Sequence, residues 1–247
     1  MAHVPEPLST HVAAWPVALV TGGSRGFGRA ITTALVRRGW QVVIDGRDSR
    51  ALAETTSDLM PGAVIAVAGD VASENHRAAL AAEVGRLGRL DLLVNNASTL
   101  GPSPLPPLAQ HPLGALADVF AVNTLAPLAL VQELLPHLLA SDGVVVDISS
   151  DAAVEAYEGW GGYGAAKAAL DHLTAVLAVE EPRLHWYAFD PGDMRTQMHQ
   201  DAFPGEDISD RPEPDTVVPA LLRLLDELPD SGRYRASALA ADTVAVA

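Results

Sequence analysis

The sequence predicts an α/β fold: a doubly wound, mostly parallel seven-stranded sheet with helices on both faces. Three observations predict it. Strand-like runs alternate with helix-like segments along the chain. Most of those runs are continuously apolar, as strands buried on both faces are. Polar and glycine-rich clusters recur where the runs end, which is where an open α/β sheet places its ligands. With 247 residues, 49% of them hydrophobic, the chain is long enough for one such domain with a substantial core.

Residues 1–14 lack both a basic start and a continuous apolar run, so they read as a flexible tail rather than a signal peptide. Residues 15–247 read as a single domain. VALVTG (17–22) is a short apolar strand running into glycines. Apolar positions at helical spacing over 26–38 stop before Gly39, a helix-ending glycine. WQVVID (40–45) is the second strand. A short helix near 50–59 leads to the third, AVIAVA (63–68). Residues 74–87 are helical, and LDLLVNNA (90–97) is the fourth strand. A proline-rich loop (101–112) precedes a long helix from 113 to 139. VVVDISS (144–150) is a strand, 161–179 a helix, and LHWYAFDPG (184–192) a strand entering a loop. The polar, acidic segment 193–214 reads as a mobile substrate flap. A helix near 215–228 and a last strand, GRYRASAL (232–239), complete the order.

Composition excludes several functions. There is no cysteine, hence no disulfide, thiolate metal site or thiol nucleophile, in keeping with a cytoplasmic location. The net charge of −15 argues against nucleic-acid binding, which needs a basic face. No uninterrupted apolar run is long enough to span a bilayer, so no membrane partner is expected. The eight histidines are scattered without ligand spacing, so no metal is expected. The charge is uneven. Residues 21–50 hold six arginines against two aspartates, while 201–230 hold nine carboxylates against two arginines. The basic stretch reads either as a site for a small anion or as solvated helix faces.

The glycine turn TGGSRGFG (21–28) lies between the first strand and its helix. Gly22, Gly26 and Gly28 let backbone approach a pyrophosphate, and the helix N-terminus offers free N–H groups. No Lys-Ser/Thr follows, so it is not a Walker loop. In dinucleotide-binding folds an acid at the end of the second strand reads the ribose 2′-hydroxyl, and an arginine accommodates a 2′-phosphate. Here Gly46 stands at the acid's place, Arg47 follows, and Arg25 lies in the neighbouring turn. This favours NADP(H) over NAD(H). Asp45 would select NAD(H) if the register were one residue different.

Lys167 is the only lysine among sixteen Lys and Arg residues. It follows Tyr163 at i, i+4, so the two share a helix face. An ammonium near a phenol favours the phenolate, which brings tyrosine closer to use as an acid–base group. Ser150 ends the preceding strand, where its hydroxyl can hold a substrate oxygen.

With these motifs in this order, the chain resembles the short-chain dehydrogenase/reductase family, in its single-domain, Rossmann-type branch of about 250 residues. The resemblance runs from Val17 to Thr196 and more weakly to Leu239. It rests on TGGSRGFG, Asp70-Val71, NNAS (95–98), Asn123, ISS (148–150), YGAAK (163–167) and DPGDMRT (190–196). It implies that Tyr163 donates a proton to a carbonyl oxygen, and that Lys167 lowers the tyrosine pKa and bonds the nicotinamide ribose. It also implies that Ser150 orients the carbonyl and that Asn123 holds a water leading to Lys167. For the cofactor, Gly22, Ser24, Gly26, Phe27 and Gly28 are expected at the phosphates and Arg25 and Arg47 at the 2′ position. Asp70 and Val71 would meet the adenine, and Asn95 and Ala97 the ribose side. Tyr163, Lys167 and the stretch Pro191, Gly192, Met194 and Thr196 would meet the nicotinamide half. The sequence departs from the family at Ser98, where glycine is usual, and in a short link after the 161–179 helix. It also lacks the usual glycine-rich C-terminus. That ending packs at subunit contacts in the family, so homodimer and homotetramer both stand as expectations.

Three segments, 98–108, 151–162 and 193–210, are expected around the substrate. They bring apolar Leu100, Leu105, Tyr157, Trp160, Met194, Met198 and Phe203, and acidic Asp151, Glu155, Glu158 and Asp193. The substrate expected is a small carbonyl or alcohol with an apolar body; the carboxylates read either as a cationic or hydroxyl-rich subsite or as solvated loop residues. The function expected is an NADPH-dependent reductase of a ketone or aldehyde, or the reverse alcohol dehydrogenase. The alternative is a non-catalytic NADP(H)-binding sensor or scaffold on the same fold, which needs no proton donor. A methyltransferase is disfavoured, because it has no use for Tyr163 and Lys167.

Overall fold

The computed structural model describes residues 15–241; the tail expected over 1–14 lies outside them. Seven strands form one sheet in the order β3-β2-β1-β4-β5-β6-β7, and every pairing is parallel. They are β1 (Val17–Val20), β2 (Gln41–Gly46), β3 (Val64–Ala68), β4 (Leu92–Asn95), β5 (Val144–Ile148), β6 (His185–Asp190) and β7 (Gly232–Arg235). The helices are α1 (Gly26–Arg37), α2 (Ser49–Ser57), α3 (Glu74–Leu87), α4 (Leu113–Phe120), α5 (Ala126–Ala140), α6 (Gly161–Glu180), α7 (Gln197–Ala202), α8 (Pro214–Glu227) and α9 (Ala236–Ala241). The strand order reverses between β1 and β4, which opens a crevice at their carboxyl ends.

The continuous apolar runs have a direct structural cause. Side chains alternate across a strand, and here both faces are covered. Ala18, Val20, Val42, Ile44, Tyr187 and Phe189 pack on one side with Ile31 and Leu35 of α1 and Leu221 and Leu224 of α8. Val17, Leu19, Val43 and Trp186 pack on the other with Leu80 of α3 and Leu130, Leu134 and Leu138 of α5. Local signals set the helix ends. Asp48 caps α2 by accepting from the Arg50 and Ala51 amides, and Gly39 follows α1 with φ +82°.

Three sequence expectations change. The last strand is only Gly232–Arg235, and the alanine-rich stretch after it forms α9 instead of extending the sheet. The helix expected over 113–139 contains a π-helical turn at Ala121–Leu125, a device that re-aims side chains within a helix. The flap over 193–214 contains α7, capped by the Thr196 hydroxyl on the His199 amide. Separately, Leu113–Ala140 is helical throughout, and an 18-residue stretch of it has mean hydropathy 1.7, enough to cross a membrane by length and composition alone. It is not an uninterrupted apolar run, since Asp118, Asn123, Gln132, Glu133 and His137 lie within it. Its inner face is core, since Leu130, Val131, Leu134 and Leu138 are buried against the sheet.

The glycine turn is packed closely against its own backbone. A Cβ on Gly28 would lie 2.3 Å from the Gly22 carbonyl oxygen and 2.5 Å from Asn96 Nδ2. Gly28→Ala should therefore destabilise the fold by up to about 2 kcal/mol, because an overpacking cost of ~1–3 kcal/mol is offset by only ~1 kcal/mol gained in helix propensity. A lowered midpoint in urea unfolding checks this; an unchanged or raised midpoint would show that the turn can widen freely.

Candidate active site

The crevice is a cleft of about 800 Å³ that runs from the glycine turn to α7. Its first wall is built by the end of β1. The Asn96 side chain donates to the Thr21 carbonyl (2.8 Å), and the Thr21 hydroxyl accepts from the amides of Asn96 (2.9 Å) and Ala97 (3.0 Å). The turn is thereby fixed to the chain leaving β4. Gly22 has φ +65°, and its amide donates to Asp45 Oδ1 at 2.6 Å. Asp45 Oδ2 pairs with His76 Nε2 at 3.0 Å, with both side chains buried. Both oxygens of the carboxylate that would have selected NAD(H) are thus engaged inside the protein.

The N-terminus of α1 faces the same wall. No side chain caps it and no acid stands in its first turn, so its amides and its dipole are available to an anion. Arg25 and Arg47 are exposed and line the cleft, and neither has a carboxylate partner among the described residues. An open helix end beneath two unpaired guanidiniums fits the phosphates of a dinucleotide.

At the other end, β5 delivers Ser150 and α6 delivers Tyr163 and Lys167. Lys167 is 1% exposed. Its Nζ donates to the Ile148 carbonyl at 2.6 Å and lies 5.7 Å from the centre of the Tyr163 ring. Below it, Asp147 accepts from Asn95 Nδ2 and from the Thr174 hydroxyl, both at 2.7 Å. Ser150 Oγ donates to Asp151 Oδ1 at 3.0 Å and accepts from the Ala152 amide. Trp160 stands edge-on to Tyr163, with ring centres 5.7 Å apart.

Burial dominates the electrostatics. It pushes the Lys167 ammonium down to about 8, against the opposing pull of Asp147 and Asp171. It pushes the Tyr163 phenol well above the usual tyrosine range. The hydroxyls of Ser98 and Ser150 pull the phenol down, and Asp190 and Asp151 push it further up. Desolvation is the largest influence on this phenol and acts against the lowering that the resemblance implies for Lys167. Burial likewise raises the Asp147 carboxyl, opposed by Thr174, Asn95 and Lys167.

Most residues singled out from the sequence line the cleft: Gly22, Ser24, Arg25, Gly26, Phe27, Arg47, Asp70, Val71, Ala97, Ser150, Tyr163, Lys167, Pro191, Gly192, Met194 and Thr196. Three lie behind it instead. Gly28 packs against the Gly22 carbonyl. Asn95 points beneath the sheet end to Asp147. Asn123 is fully buried in the π-helical turn, where Oδ1 accepts from the Thr99 amide (2.9 Å) and Ser98 Oγ (3.1 Å) and Nδ2 donates to the Thr99 carbonyl (2.8 Å). Asn123 thus shapes the loop after β4. Around the substrate end, Leu100, Asp151, Trp160, Asp193, Met194 and Met198 line the cleft, whereas Leu105, Tyr157, Phe203, Glu155 and Glu158 do not. Tyr157 donates to Asp151 and Glu155, and Phe203 packs on Trp160 and His199. Sequence reasoning missed Asn96, Ser149 and Asp190 in the lining. Their adjacency to NNAS, ISS and DPG was the available signal. Among the described residues no group of acidic and histidine side chains is arranged to hold a metal.

Comparison with known proteins agrees with this geometry. The family described as short chain dehydrogenase matches residues 16–207. Sepiapterin reductase of Rattus norvegicus is 35% identical over 199 residues, which covers 74% of this chain and 76% of the relative. A short chain dehydrogenase of Shigella flexneri 2a, solved in complex with NADP, superposes with a TM-score of 0.83. It is 30% identical, with 90% of this chain and 97% of that one covered. A counterpart from Escherichia coli CFT073, solved with NADPH, gives 0.83 at 31% identity over 90% and 96% of the two chains.

Because Lys167 is the only lysine, a chain labelled with ¹³C at lysine Cε gives one lysine signal. That signal should titrate with a midpoint of about 8. The folded pKa lies below the unfolded value, so the unfolded chain binds more protons in between, and this group's contribution to stability rises with pH from about 8 to about 10.5. A midpoint at or above the ordinary lysine value of about 10.4 would overturn the assignment of a desolvated ammonium.

Proposed function

The chain belongs to the short chain dehydrogenase family of oxidoreductases, and from that premise we propose that it is an NADP(H)-dependent carbonyl reductase, or the reverse alcohol dehydrogenase. The observation that carries this reading is one cleft with two chemically distinct ends. One end has an open helix N-terminus and two unpaired arginines, and the other has Ser150, Tyr163 and Lys167.

NADP(H), when bound, supplies or accepts the hydride. The amides at the start of α1 would hold its phosphates, and Arg25 and Arg47 would hold the 2′-phosphate. The relatives solved with NADP and NADPH support this preference, as does the engagement of Asp45 by Gly22 and His76. Tyr163, kept protonated by burial, donates its phenolic proton to the carbonyl oxygen as that oxygen becomes an alkoxide. Ser150 Oγ turns from Asp151 to donate to the same oxygen, which stabilises the developing charge. Lys167, with one N–H held by the Ile148 carbonyl, keeps positive charge beneath the phenol and stabilises the tyrosinate left after transfer. Leu100, Trp160, Met194 and Met198 offer an apolar lining, which suits a substrate with an apolar body.

Consumption of NADPH and NADH against ketones, aldehydes and quinones tests the reading. Tyr163→Phe should lower kcat by about 10²–10⁴-fold, the range of a general acid. Undiminished turnover in that variant would sink the proton-donor role. A wild-type chain that binds NADPH tightly yet turns over no carbonyl would be a sensor or scaffold. Arg47→Asp should cut the NADPH-over-NADH preference by about 10–100-fold, since a charge-assisted bond contributes ~1.5–3 kcal/mol. An unchanged ratio would place the 2′-phosphate elsewhere.

A further inference from the structure

Strand β7 lies at the sheet edge, beyond the residues matched by the family. Its side chains alternate. Tyr234 packs into the core beside Tyr187, so Arg233 and Arg235 share the opposite side. Arg233 reaches back over three neighbouring elements. Its Nε donates to Asp171 Oδ2 at 3.0 Å. Its Nη2 donates to the Ser150 carbonyl at 2.8 Å and to Asp190 Oδ2 at 2.9 Å. The guanidinium and the two carboxylates are largely shielded, with side chains 24%, 15% and 5% exposed.

Each partner belongs to a different part of the site. The Ser150 carbonyl is the backbone of the residue whose hydroxyl faces the substrate. Asp171 stands one turn after Lys167 on α6. Asp190 accepts from the Gly192 amide through its other oxygen, at 3.0 Å, and so shapes the Pro191-Gly192 turn. We propose that Arg233 is a positioning residue that holds Ser150, the Tyr163–Lys167 helix and the Pro191-Gly192 turn in mutual register. The proposal rests on the reading of Ser150, Tyr163 and Lys167 as the reacting groups. A planar guanidinium suits the task because its donors diverge in a fixed fork; an ammonium at the same place supplies charge without that geometry.

Two readouts test it. In a folded Arg233→Met variant, kcat should fall about 10–100-fold, as small misplacements of reacting groups do, with NADPH affinity within ~3-fold of wild type. Arg233→Lys should fail to rescue kcat, although it retains the charge. Independently of turnover, the single ¹³C-lysine signal should shift or split in Arg233→Met, reporting a displaced α6. If Arg233→Met does not fold, as judged by circular dichroism, Arg233→Gln replaces it, and the same two readouts decide. A folded variant with wild-type kcat and an unmoved lysine signal overturns the proposal, and so does full rescue by Arg233→Lys. If the wild-type chain turns over no carbonyl, the oxidoreductase reading fails, while the lysine signal still decides whether Arg233 positions α6.

Discussion

A single buried ammonium constrains the end of the cleft formed by β5 and α6. Taking Lys167 to 1% exposure carries a desolvation cost that an unpaired charge could not sustain. The surrounding structure offsets it in layers. The Ile148 carbonyl accepts directly. Asp147 and Asp171 add negative potential, and Asn95 and Thr174 hold Asp147 in place. Removing any layer would leave the remainder mismatched, so β4, β5 and α6 are tied to one another by electrostatics as well as by packing. Lysine suits this place because a compact ammonium on a flexible stem fits a narrow buried slot, while elsewhere the chain uses arginine for its cations.

The opposite end of the cleft uses the reverse strategy. There the cations are left exposed and unpaired, and the buried charge is a carboxylate. Asp45 sits at the end of β2, at 2% exposure, and is consumed by the Gly22 amide and by His76. This carboxylate stabilises the left-handed conformation of Gly22 and joins β2 to α3. It also leaves the adenosine side of the cleft to Arg25 and Arg47. The two ends therefore differ in where the charge is engaged: internally around Lys167, and toward the open cleft at Arg25 and Arg47.

The fold was legible in the sequence because its signals are local or periodic. Apolar runs mark the strands, glycines with positive φ mark the turns, and the strand-end positions of the polar clusters mark the crevice. The i, i+4 spacing of Tyr163 and Lys167 needed only helix geometry. What stayed hidden depends on partners distant in sequence. His76 meets Asp45 across 31 residues, Asn123 meets Thr99 across 24, and Arg233 meets Ser150 across 83. Nothing in VVIDGRD says that the aspartate is already engaged, and nothing in YGAAK says that burial raises the phenol. The π-helical turn was invisible for a related reason. Residues 113–140 read as one helix, and the contacts that mark the turn within it, such as Asn123 with Thr99, are made to distant segments.

The role of β7 follows from where the sheet's own hydrogen bonds stop. The Ser149 amide donates to the Phe189 carbonyl at 2.8 Å, and beyond it β5 and β6 enter their loops. The groups that face the cleft lie just past this point, because strand-end loops have the freedom of direction that the ladder denies. Such freedom is a liability where reacting groups must hold their relative positions. Ser150, Asp190 and α6 therefore need a tie that is not backbone to backbone, and Arg233 is adjacent to all three. An edge strand suits this purpose. Its outer side has no ladder to maintain, long charged side chains there deter edge-to-edge association, and the same side chains can fold inward over the strand ends. Arg235, two residues on, repeats the pattern toward Asp190 and Glu155. The C-terminal segment outside the family-matched region is thus mechanically continuous with the site.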